Sequence, residues 1–438
     1  MDSKTIVAPM TPTGVSAVAA LRVSGSCVRD VVERLFGTKA AKGLQPRMAN
    51  LGTARDPKNG KVLDSLLYIY FEGPNSYTGE DVLELYPHGN PLIVRDLLQA
   101  IRSIEGVRLA EPGEYTRRAF LNGKMDLTQA ESVADVIHSA NRAELENAHR
   151  LLSGALSKKI ATLTAQVKDI SARLELDVDF AEEEADPDFA GWQERFENIR
   201  TTIQQILNSF RGKANLSRLP LAVLYGAPNA GKSSLVNALL GEDRVLVSNV
   251  PGTTRDFVEV RLFLEGGEIR LVDTAGIAER ATDELDALSM KKSREILEEA
   301  DLKILVEDGT AAGEPVVQPD FIVHSKYDVR VSVPEKGLCI SSKTGVGLTE
   351  LKSVMNAALF KNRENEEDLW ITSEREKACL EDAYAGVNRV LDLLRRNPAV
   401  ELLAFEMQLV RRALQSITGE ISSEDILQSI FAGFCIGK

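Results

Sequence analysis

The sequence has few cysteines, few aromatic residues and no long apolar run. Its four cysteines, Cys27, Cys339, Cys379 and Cys435, stand far apart without C-x-x-C spacing, which argues against a disulfide framework and against a clustered zinc site. No apolar run approaches the roughly 20 residues of a membrane span, and the N-terminus lacks the apolar stretch of a signal peptide. These absences predict a cytoplasmic protein that does not enter a membrane.

The chain also lacks an excess of positive charge. It has 52 Lys and Arg against 65 Asp and Glu, a formal net charge of −13. A protein that grips nucleic acid through its bulk charge needs an excess of Lys and Arg, so any RNA contact must be local or made through a partner. At 438 residues and 44% hydrophobic content, the chain is long enough for two to four domains at about 100–200 residues each.

The strongest motif is the stretch 226–234, Gly-Ala-Pro-Asn-Ala-Gly-Lys-Ser-Ser, which fits the pattern G-x-x-x-x-G-K-[ST]. An apolar run precedes it and an apolar helical pattern follows, which is the strand, loop and helix that phosphate binding requires. Lys232 would reach the β- and γ-phosphates, and Ser233 would hold Mg²⁺. The predicted nucleotide contacts in this loop are Asn229, Ala230, Gly231, Lys232, Ser233 and Ser234.

Two further stretches have the spacing of nucleotide switches. In Val-Pro-Gly-Thr-Thr-Arg-Asp, residues 250–256, Thr254 can complete the Mg²⁺ shell. In Asp-Thr-Ala-Gly, residues 273–276, Asp273 would stand behind the metal, as in a GTPase. The residue after this stretch is Ile277, so the Gln that orients water in Ras-like enzymes is missing. The predicted nucleotide contacts here are Ser248, Thr253, Thr254, Asp273, Thr274, Ala275 and Gly276.

The base pocket is predicted from two short segments that each follow an apolar run. They are Ser-Lys-Tyr-Asp at 325–328 and Ser-Ser-Lys at 341–343. Asp328 can accept two hydrogen bonds from guanine that adenine cannot supply, so GTP is the predicted nucleotide. The predicted contacts are Ser325, Lys326, Asp328, Ser341, Ser342 and Lys343.

The periodicity of apolar residues divides the chain into parts. Residues 1–118 alternate β-branched runs with turn signals and hold one predicted helix, Pro91 to about Ser103, which is typical of an α+β domain. Helical periodicity fills 119–215 and resumes over 361–438, with an acidic run at 182–188 that reads as a solvated loop rather than a carboxylate metal site. We therefore predict a multidomain protein in which an α/β P-loop (Ras-like) G domain, 216–360, is inserted into a discontinuous all-α helical domain.

Spacing alone leaves several polar residues of the first domain unassigned. From spacing alone, Arg22, at the end of an apolar strand, and Glu80, in Tyr-Thr-Gly-Glu-Asp, are interpreted as ordinary surface charges. His88 reads as a hydrogen-bonded structural histidine. Residue patterns by themselves therefore predict no site in this domain.

Longer motifs connect the chain to a known family. They are Gly252-Thr-Thr-Arg-Asp256, the stretch Gly-Pro-Asn-Ser-Tyr-Thr-Gly-Glu-Asp-Val-Leu-Glu-Leu at 73–85, the stretch Glu-Pro-Gly-Glu-Tyr-Thr-Arg-Arg-Ala-Phe-Leu-Asn at 111–122, and the ending Phe-Cys-Ile-Gly-Lys at 434–438. With these in place the chain resembles the MnmE (TrmE) family, the tRNA wobble-uridine modification GTPases. The likeness covers nearly the whole length, and the ending is highly specific.

The resemblance implies a homodimer with three parts: an N-terminal tetrahydrofolate-binding and dimerisation domain, the helical domain and the G domain. It also assigns ligands residue by residue. For 5,10-methylene- or 5-formyl-tetrahydrofolate the matching positions are Arg22, Glu80, Lys124 and Lys438. For potassium they are Asn229, Ser248, Val250 and Thr253, and for magnesium they are Ser233 and Thr254.

The activity implied by the resemblance is that of a potassium-activated GTPase. It works with a flavin-dependent partner, MnmG (GidA), in a heterotetramer or larger complex, and FAD enters only through that partner. Together they would add a carboxymethylaminomethyl or aminomethyl group at C5 of wobble uridine 34 of tRNA, with a folate one-carbon unit. The implied catalytic positions are Asp286, Lys232 and Cys435, although Cys435 also fits an inert buried thiol.

Two departures from the family pattern bear on activity. Ser325 stands where the family has Asn, and Asp286 stands where the family has a water-positioning Glu. Asp286 and the shortened G domain, whose span 310–320 leaves no room for the usual helix, support an alternative, a nucleotide-gated dimeric scaffold that hydrolyses GTP poorly. A third hypothesis is a ribosome-assembly GTPase. Such a protein would have the same G motifs, but this hypothesis accounts for neither the first 120 residues nor the last five.

Overall fold

The computed structural model describes nine stretches of the chain. These are residues 4–179, 189–212, 218–242, 257–274, 294–308, 317–329, 337–360, 369–396 and 399–438. Contacts divide the chain into two compact units. The first holds Met1–Ile137, Ala148–Phe210 and Trp370–Lys438, and the second holds His138–Asn147 and Arg211–Leu369. The acidic run at 182–188 lies outside the described residues.

The first unit contains a six-stranded sheet in the order β4-β5-β6-β3-β1-β8. Its strands are β1 (Thr5–Pro9), β3 (Leu21–Ser24), β4 (Ala49–Arg55), β5 (Val62–Phe71), β6 (Val82–Tyr86) and β8 (Val107–Leu109), and β2 (Ser16–Val18) pairs separately with β7 (His88–Gly89). All neighbours in the large sheet are antiparallel except β1 and β8. The β3–β6 register places Arg22 directly opposite Glu84.

Three helices accompany this sheet: α1 (Val28–Phe36), α2 (Thr38–Lys42) and α3 (Pro91–Arg102). Helix α3 confirms the predicted helix, and it begins with Pro91 at its first position, where the side chain of Asn90 accepts from Leu92 N. The prediction of a single helix was wrong, because α1 and α2 were missed. In α1, Val28, Val31, Val32 and Leu35 recur at helical spacing and are buried in one core with sheet residues.

Long helices form the rest of the first unit, as predicted. They are α4 (Glu114–Leu121), α5 (Leu127–His138), α6 (Arg142–Leu152), α7 (Ala155–Asp179), α8 (Phe189–Asn208), α11 (Glu374–Leu394), α12 (Val400–Thr418) and α13 (Glu424–Ala432). Helices α7, α8, α11 and α12 contact one another and bury one apolar stripe each. The first residues of α6 belong to the second unit. No helix in the described ranges is long and apolar enough to cross a membrane.

The second unit contains a six-stranded sheet in the order β10-β11-β9-β12-β13-β14. Its elements are β9 (Leu221–Tyr225), α9 (Lys232–Glu242), β10 (Phe257–Leu264), β11 (Gly267–Thr274), β12 (Leu302–Glu307), β13 (Phe321–His324), β14 (Leu338–Cys339) and α10 (Leu348–Phe360). Only β10 runs antiparallel to its neighbour. The carboxyl ends of the parallel strands therefore meet at one edge, where ligands bind in sheets of this kind.

Residues 138–147 dock on the turn between β10 and β11. The backbone of Arg142 donates to Gly266 O at 2.8 Å, and Glu268 N donates to Ala140 O at 2.9 Å. A side chain at Gly267 would place Cβ 2.6 Å from Ala140 O, so only glycine fits there. The side chain of Glu144 closes the contact by accepting from Ala140 N. This segment is thus built into the sheet of the second unit.

Candidate functional site

The phosphate loop leaves β9 and ends where α9 begins, as the sequence predicts. Gly226 and Gly231 have φ values of 142° and 97°, and a Cβ at Gly226 would lie 2.2 Å from Val306 O. Lys232 is buried, and its Nζ donates to Gly226 O and to Ala227 O at 3.0 Å each. Burial lowers the pKa of Lys232, while the carboxylate of Asp273 opposes this effect. The lysine ammonium is therefore hydrogen-bonded to carbonyl oxygens of its own loop, and phosphate oxygens of a nucleotide would replace these acceptors.

Two residues predicted at the magnesium site, Ser233 in the first turn of α9 and Asp273 near the end of β11, contact each other. Ser233 Oγ donates to Asp273 Oδ2 at 2.6 Å, and Asp273 is 5% exposed. Asp273 Oδ1 is buried and has no hydrogen-bond partner within the described part of the chain. Hard oxygen donors arranged in this way fit Mg²⁺, which is bound by one or two protein ligands plus phosphates. Thr274 Oγ1 anchors the strand end by donating to Leu224 O at 2.9 Å.

A cavity of about 670 Å³ lies where the base pocket was predicted. Its lining includes Gly231, Ser234, Ser325, Lys326, Asp328, Ser342 and Lys343. Asp328 Oδ1 accepts from Ser341 Oγ at 2.8 Å, which fixes the carboxylate while leaving acceptor sites open. Lys326 has a φ of 56° and bonds Asp308 Oδ2 at 2.8 Å. The cavity thus presents a fixed carboxylate to a base.

Ser325 braces the phosphate loop against the base segment. Its side chain is almost fully buried, and its Oγ donates to Ala230 O at 2.5 Å. A second carbonyl, Glu307 O, lies 3.3 Å from the same hydroxyl. Ser325 therefore ties two loops of the pocket together with a single hydroxyl.

Some predicted site residues are not brought to this pocket by the described structure. Asn229 is exposed on the phosphate loop with a φ of 63°. Cys435 is exposed and lies in the first unit, among residues 370–438. Seven predicted residues lie outside the described ranges: Ser248, Val250, Thr253, Thr254, Ala275, Gly276 and Asp286.

In the first unit, Arg22 lies at the centre of a polar cluster. Its Nε and Nη2 donate to Glu84 Oε1 at 3.1 and 2.9 Å, and its guanidinium carbon lies 4.8 Å from the ring centre of Tyr77. The side chain is 8% exposed, yet Nη1 has no hydrogen-bond partner among the described residues. A buried guanidinium nitrogen without an acceptor is costly, so this atom fits an acceptor supplied by a ligand.

The other predicted folate residues lie close to this cluster. Burial lowers the pKa of Lys438, the charge of Arg22 lowers it further, and Glu84 raises it. Glu80 accepts from Ser24 Oγ at 2.7 Å. Lys124 Nζ donates to Pro74 O at 2.9 Å, in the loop that leads to Glu80. These contacts connect residues from four separate segments, whose side chains offer hydrogen-bond donors and acceptors to a ligand.

Several residues of this cluster were missed by the sequence interpretation. Glu84, Tyr86 and Arg118 all stand inside or beside motifs that were recognised, but no role was given to them. Tyr86 donates to Glu84 Oε2 at 2.5 Å, and Arg118 donates to both oxygens of Glu80. The alternation of side chains along β6 could have identified Glu84, because residues 84 and 86 of a strand lie on the same face of the sheet.

Glu114 is a buried carboxylate behind this cluster, and its charge should stabilise the fold. Burial would raise the pKa of Glu114, but hydrogen bonds from Arg108, from Glu111 N and from Arg118 lower it to about 2. The difference from an ordinary value of 4.5 corresponds to about 3 kcal/mol. This stability is present above the unfolded pKa and is lost as the pH falls from about 4.5 to about 2.

We therefore expect Glu114→Gln to lower the free energy of unfolding by up to about 3 kcal/mol at neutral pH and to have little effect near pH 2. Urea unfolding followed by circular dichroism at several pH values would measure this. The exposed Glu105 offers a control as Glu105→Gln. A penalty for Glu114→Gln that does not change with pH would contradict the assignment.

Two family models of known proteins match successive parts of the chain. Residues 127–435 match the family model described as MnmE helical domain, and residues 5–124 match the one described as GTP-binding protein TrmE N-terminus. The chain is 38% identical over 448 residues to the tRNA modification GTPase MnmE of Methylobacterium radiotolerans, covering all of both chains. It is also 38% identical to the tRNA modification GTPase MnmE of Aquifex aeolicus, covering 99% of each chain.

A solved structure, that of an Aquifex aeolicus Era variant bound to GDP.AlF4-, is 23% identical and covers 39% of this chain and 67% of its own, with a TM-score of 0.28. That likeness is too distant to bear on function. The phosphate loop, the Ser233–Asp273 pair and the base cavity define a P-loop GTPase domain, inserted into a multidomain chain. The family models and the full-length relatives define the rest: the chain belongs to the MnmE family, whose relatives are named tRNA modification GTPases.

Proposed function

We propose that the protein hydrolyses GTP in order to modify tRNA at C5 of wobble uridine 34. It would add a carboxymethylaminomethyl or aminomethyl group, whose C5-bound carbon comes from 5,10-methylene- or 5-formyl-tetrahydrofolate and whose amine comes from glycine or ammonium, respectively. The observation that carries this proposal is the cluster around Arg22, where a buried Nη1 has no acceptor among the described residues. Family membership supports the same assignment.

The G domain would bind GTP through the two halves of its pocket. The backbone of the phosphate loop and Lys232 would hold the phosphates, and Asp328 would hold guanine. Ser233 with Asp273 would carry Mg²⁺, and Thr254 would complete that shell. Asn229, with Ser248, Val250 and Thr253, would carry potassium. These ions would supply positive charge beside the transferred phosphoryl group.

Asp286 would position the hydrolytic water, in the role that the family gives to a Glu. Its side chain is one methylene shorter, and a displacement of about 1 Å at a reacting centre can cost on the order of 10²-fold in rate. The proposal therefore includes slow turnover. It assigns no chemical step to Cys435.

The partners in this proposal are a second copy of the chain and a flavin-dependent protein of the MnmG (GidA) type. The flavin would handle electrons, because a formyl carbon must gain two electrons to become a methylene group and GTP hydrolysis transfers none. With a net charge of −13, the chain fits an arrangement in which this partner makes much of the tRNA contact. The complex would form in the cytoplasm, as a heterotetramer or larger.

The folate half of the proposal is tested by titrating the protein with 5-formyl-tetrahydrofolate. We expect Lys438→Ala to weaken binding by roughly 10–100-fold, because a hydrogen bond to a charged group contributes about 1.5–3 kcal/mol. Lys39→Ala, which removes an exposed lysine on α2, should leave the affinity unchanged. Equal affinity in all three proteins would remove Lys438 from the site.

The tRNA half is tested by reconstitution. Labelled methylene-tetrahydrofolate, GTP, the flavin-dependent partner, unmodified tRNA and an amine donor, either ammonium or glycine, are combined with the protein. The proposal requires the labelled carbon to appear at C5 of uridine 34. Label that stays in the folate, although the complex is intact and GTP is consumed, would contradict it.

A further inference from the structure

Helix α4 lies in the middle of the motif at 111–122, to which the proposed function gives no role. Its side chains reach two of the predicted folate segments and a neighbouring residue. Tyr115 Oη donates to Arg22 O at 2.6 Å, and Thr116 Oγ1 lies 2.9 Å from Tyr77 Oη. Arg118 Nη1 donates to Glu80 Oε1 and Oε2 at 3.1 and 3.0 Å. One short helix thus connects the strand of Arg22 with the loop of Glu80.

Beyond α4, the same motif continues to the loop itself. Asn122 Nδ2 donates to Thr78 O at 2.7 Å. A Cβ at Gly79 would lie 3.1 Å from Asn122 Cβ and 3.5 Å from Lys124 Cδ. The loop that ends at Glu80 is therefore fitted against residues 118–124 and has little freedom to move away from them.

Arg118 is the most constrained member of this set. Its Nε and Nη2 donate to Glu114 Oε1 at 3.2 and 2.8 Å, and Nη2 also donates to Lys4 O at 2.9 Å. With Nη1 on Glu80, every nitrogen of the guanidinium has an acceptor. The side chain is 11% exposed, so water does little to replace these bonds. The planar guanidinium then sets the direction of each bond.

Glu114 is fixed in its turn. Arg108 Nη1 and Nη2 donate to its two carboxylate oxygens at 2.7 and 2.6 Å, and Glu111 N donates to Oε2 at 2.9 Å. The result is an alternating row of Arg108, Glu114, Arg118 and Glu80. Such a row adds little stability relative to apolar residues of similar volume, because the desolvation of each charge offsets much of the attraction, although removing a single partner is costly. Its more specific effect is to hold the last carboxylate in one orientation.

The carboxylate of Glu80 keeps capacity for a ligand. A carboxylate has about four acceptor sites. Arg118 Nη1 donates to both carboxylate oxygens, and Ser24 Oγ donates to Oε2 as well. One site on Oε1 therefore stays open. The Glu80 side chain is 29% exposed, so a ligand donor can reach it.

We propose that Arg118 is a positioning residue for Glu80, and that Oε1 of Glu80 accepts an N–H of the folate ring, whose pyrimidine edge carries a 2-amino group beside a ring N–H. Glu114 and Arg108 hold Arg118 from behind. This inference rests on the proposed folate site. It gives the motif at 111–122 a function, which is to hold the residues of the folate site in place.

The variant Arg118→Lys tests this, because Lys keeps the charge but has no planar fork to hold two carboxylates. Calorimetric titration with 5-formyl-tetrahydrofolate should show affinity about 10–100-fold weaker than in the unmodified protein, the same loss that follows removal of a residue that orients a metal-binding side chain. A second titration uses a folate analogue without the 2-amino group. The analogue should lose affinity in the unmodified protein and lose much less in Arg118→Lys.

The matched control is Arg375→Lys. The Arg375 side chain is 16% exposed, close to the value for Arg118, and its Nε and Nη2 donate to the carboxylate of Glu131 at 3.0 and 3.2 Å. Its other acceptors are Ser416 O and Ile417 O, neither of them a predicted site residue. We expect Arg375→Lys to lower thermal stability at least as much as Arg118→Lys while leaving folate affinity unchanged. Equal weakening in both variants would reduce Arg118 to a general structural role.

Arg108→Lys provides a second variant, in case Arg118→Lys does not fold. Arg108 donates to Glu114 and to Leu109 O, neither of them a predicted ligand residue, and we expect its effect on folate to pass through Glu114 and Arg118. We expect weakening in the same direction and of smaller size. Folate binding that is unchanged in both Arg118→Lys and Arg108→Lys would overturn the inference, whereas an unmodified protein that binds no folate would instead overturn the proposed function.

Discussion

Asp328→Asn is expected to change the base preference of the nucleotide pocket from guanine to xanthine. Asp328 can accept from the N1 and N2 hydrogens of guanine, and its Oδ1 is already fixed by Ser341. Asn would turn an N–H donor toward one of these hydrogens. Two hydrogen bonds to a charged group contribute roughly 1.5–3 kcal/mol each, so GDP and GTP should bind about 10²–10⁴-fold more weakly. Xanthine carries an oxygen at position 2, which accepts from Asn.

Calorimetry with GDP, XDP and ADP on both proteins measures this change. Glu350→Gln, on the exposed surface of α10, removes one carboxylate from the same unit without touching the cavity and should bind all three nucleotides as before. A pocket built around a hydrogen-bonded polar group rejects analogues strongly, by up to about 10⁴–10⁵. Comparable affinities for ADP and GDP in the unmodified protein would therefore overturn the role of Asp328.

GTP hydrolysis is expected to be at least about tenfold faster in KCl than in NaCl. The chain has Ile277 where Ras-like enzymes have the water-orienting Gln, and Asn229 stands exposed on the phosphate loop. An arginine finger is worth about 10³–10⁵ in rate, so a monovalent cation that supplies part of that charge should have a measurable effect. Initial rates at saturating GTP and equal ionic strength give the comparison.

Asn229→Ala should remove most of the difference between KCl and NaCl while the protein still binds GDP. RbCl should behave like KCl, because the two cations are close in size. Equal rates in KCl and NaCl for the unmodified protein would exclude potassium activation and would favour the nucleotide-gated scaffold that hydrolyses poorly.

The nucleotide pocket could be predicted because its chemistry is local in the sequence. A phosphate loop needs its glycines, Lys232 and Ser233 within nine consecutive positions, and the apolar runs beside it fix strand and helix. Regular spacing of apolar residues likewise predicted α7 and α11. In each case neighbours along the chain determine the structure, so a short window of sequence contains the information.

The polar cluster of the first unit could not be predicted in this way. Arg22 and Glu84 are 62 positions apart, and Glu80 and Arg118 are 38 positions apart. Such pairs form only when strand order and register bring them together. No short window of the sequence reveals the strand order or the register. Helix α1 was missed for a different reason, because burial in the core outweighed the strand preference of its valines.

The docking of residues 138–147 limits how the GTPase domain can be cut out of this chain. A fragment that starts at Arg211 and ends at Leu369 would contain the motifs for nucleotide binding. It would nevertheless leave Gly266 O and Glu268 N without the partners that Ala140 and Arg142 provide. Insertions near Asn141 would disturb the same edge of the sheet. An isolated GTPase domain therefore needs both segments of the second unit, residues 138–147 as well as residues 211–369.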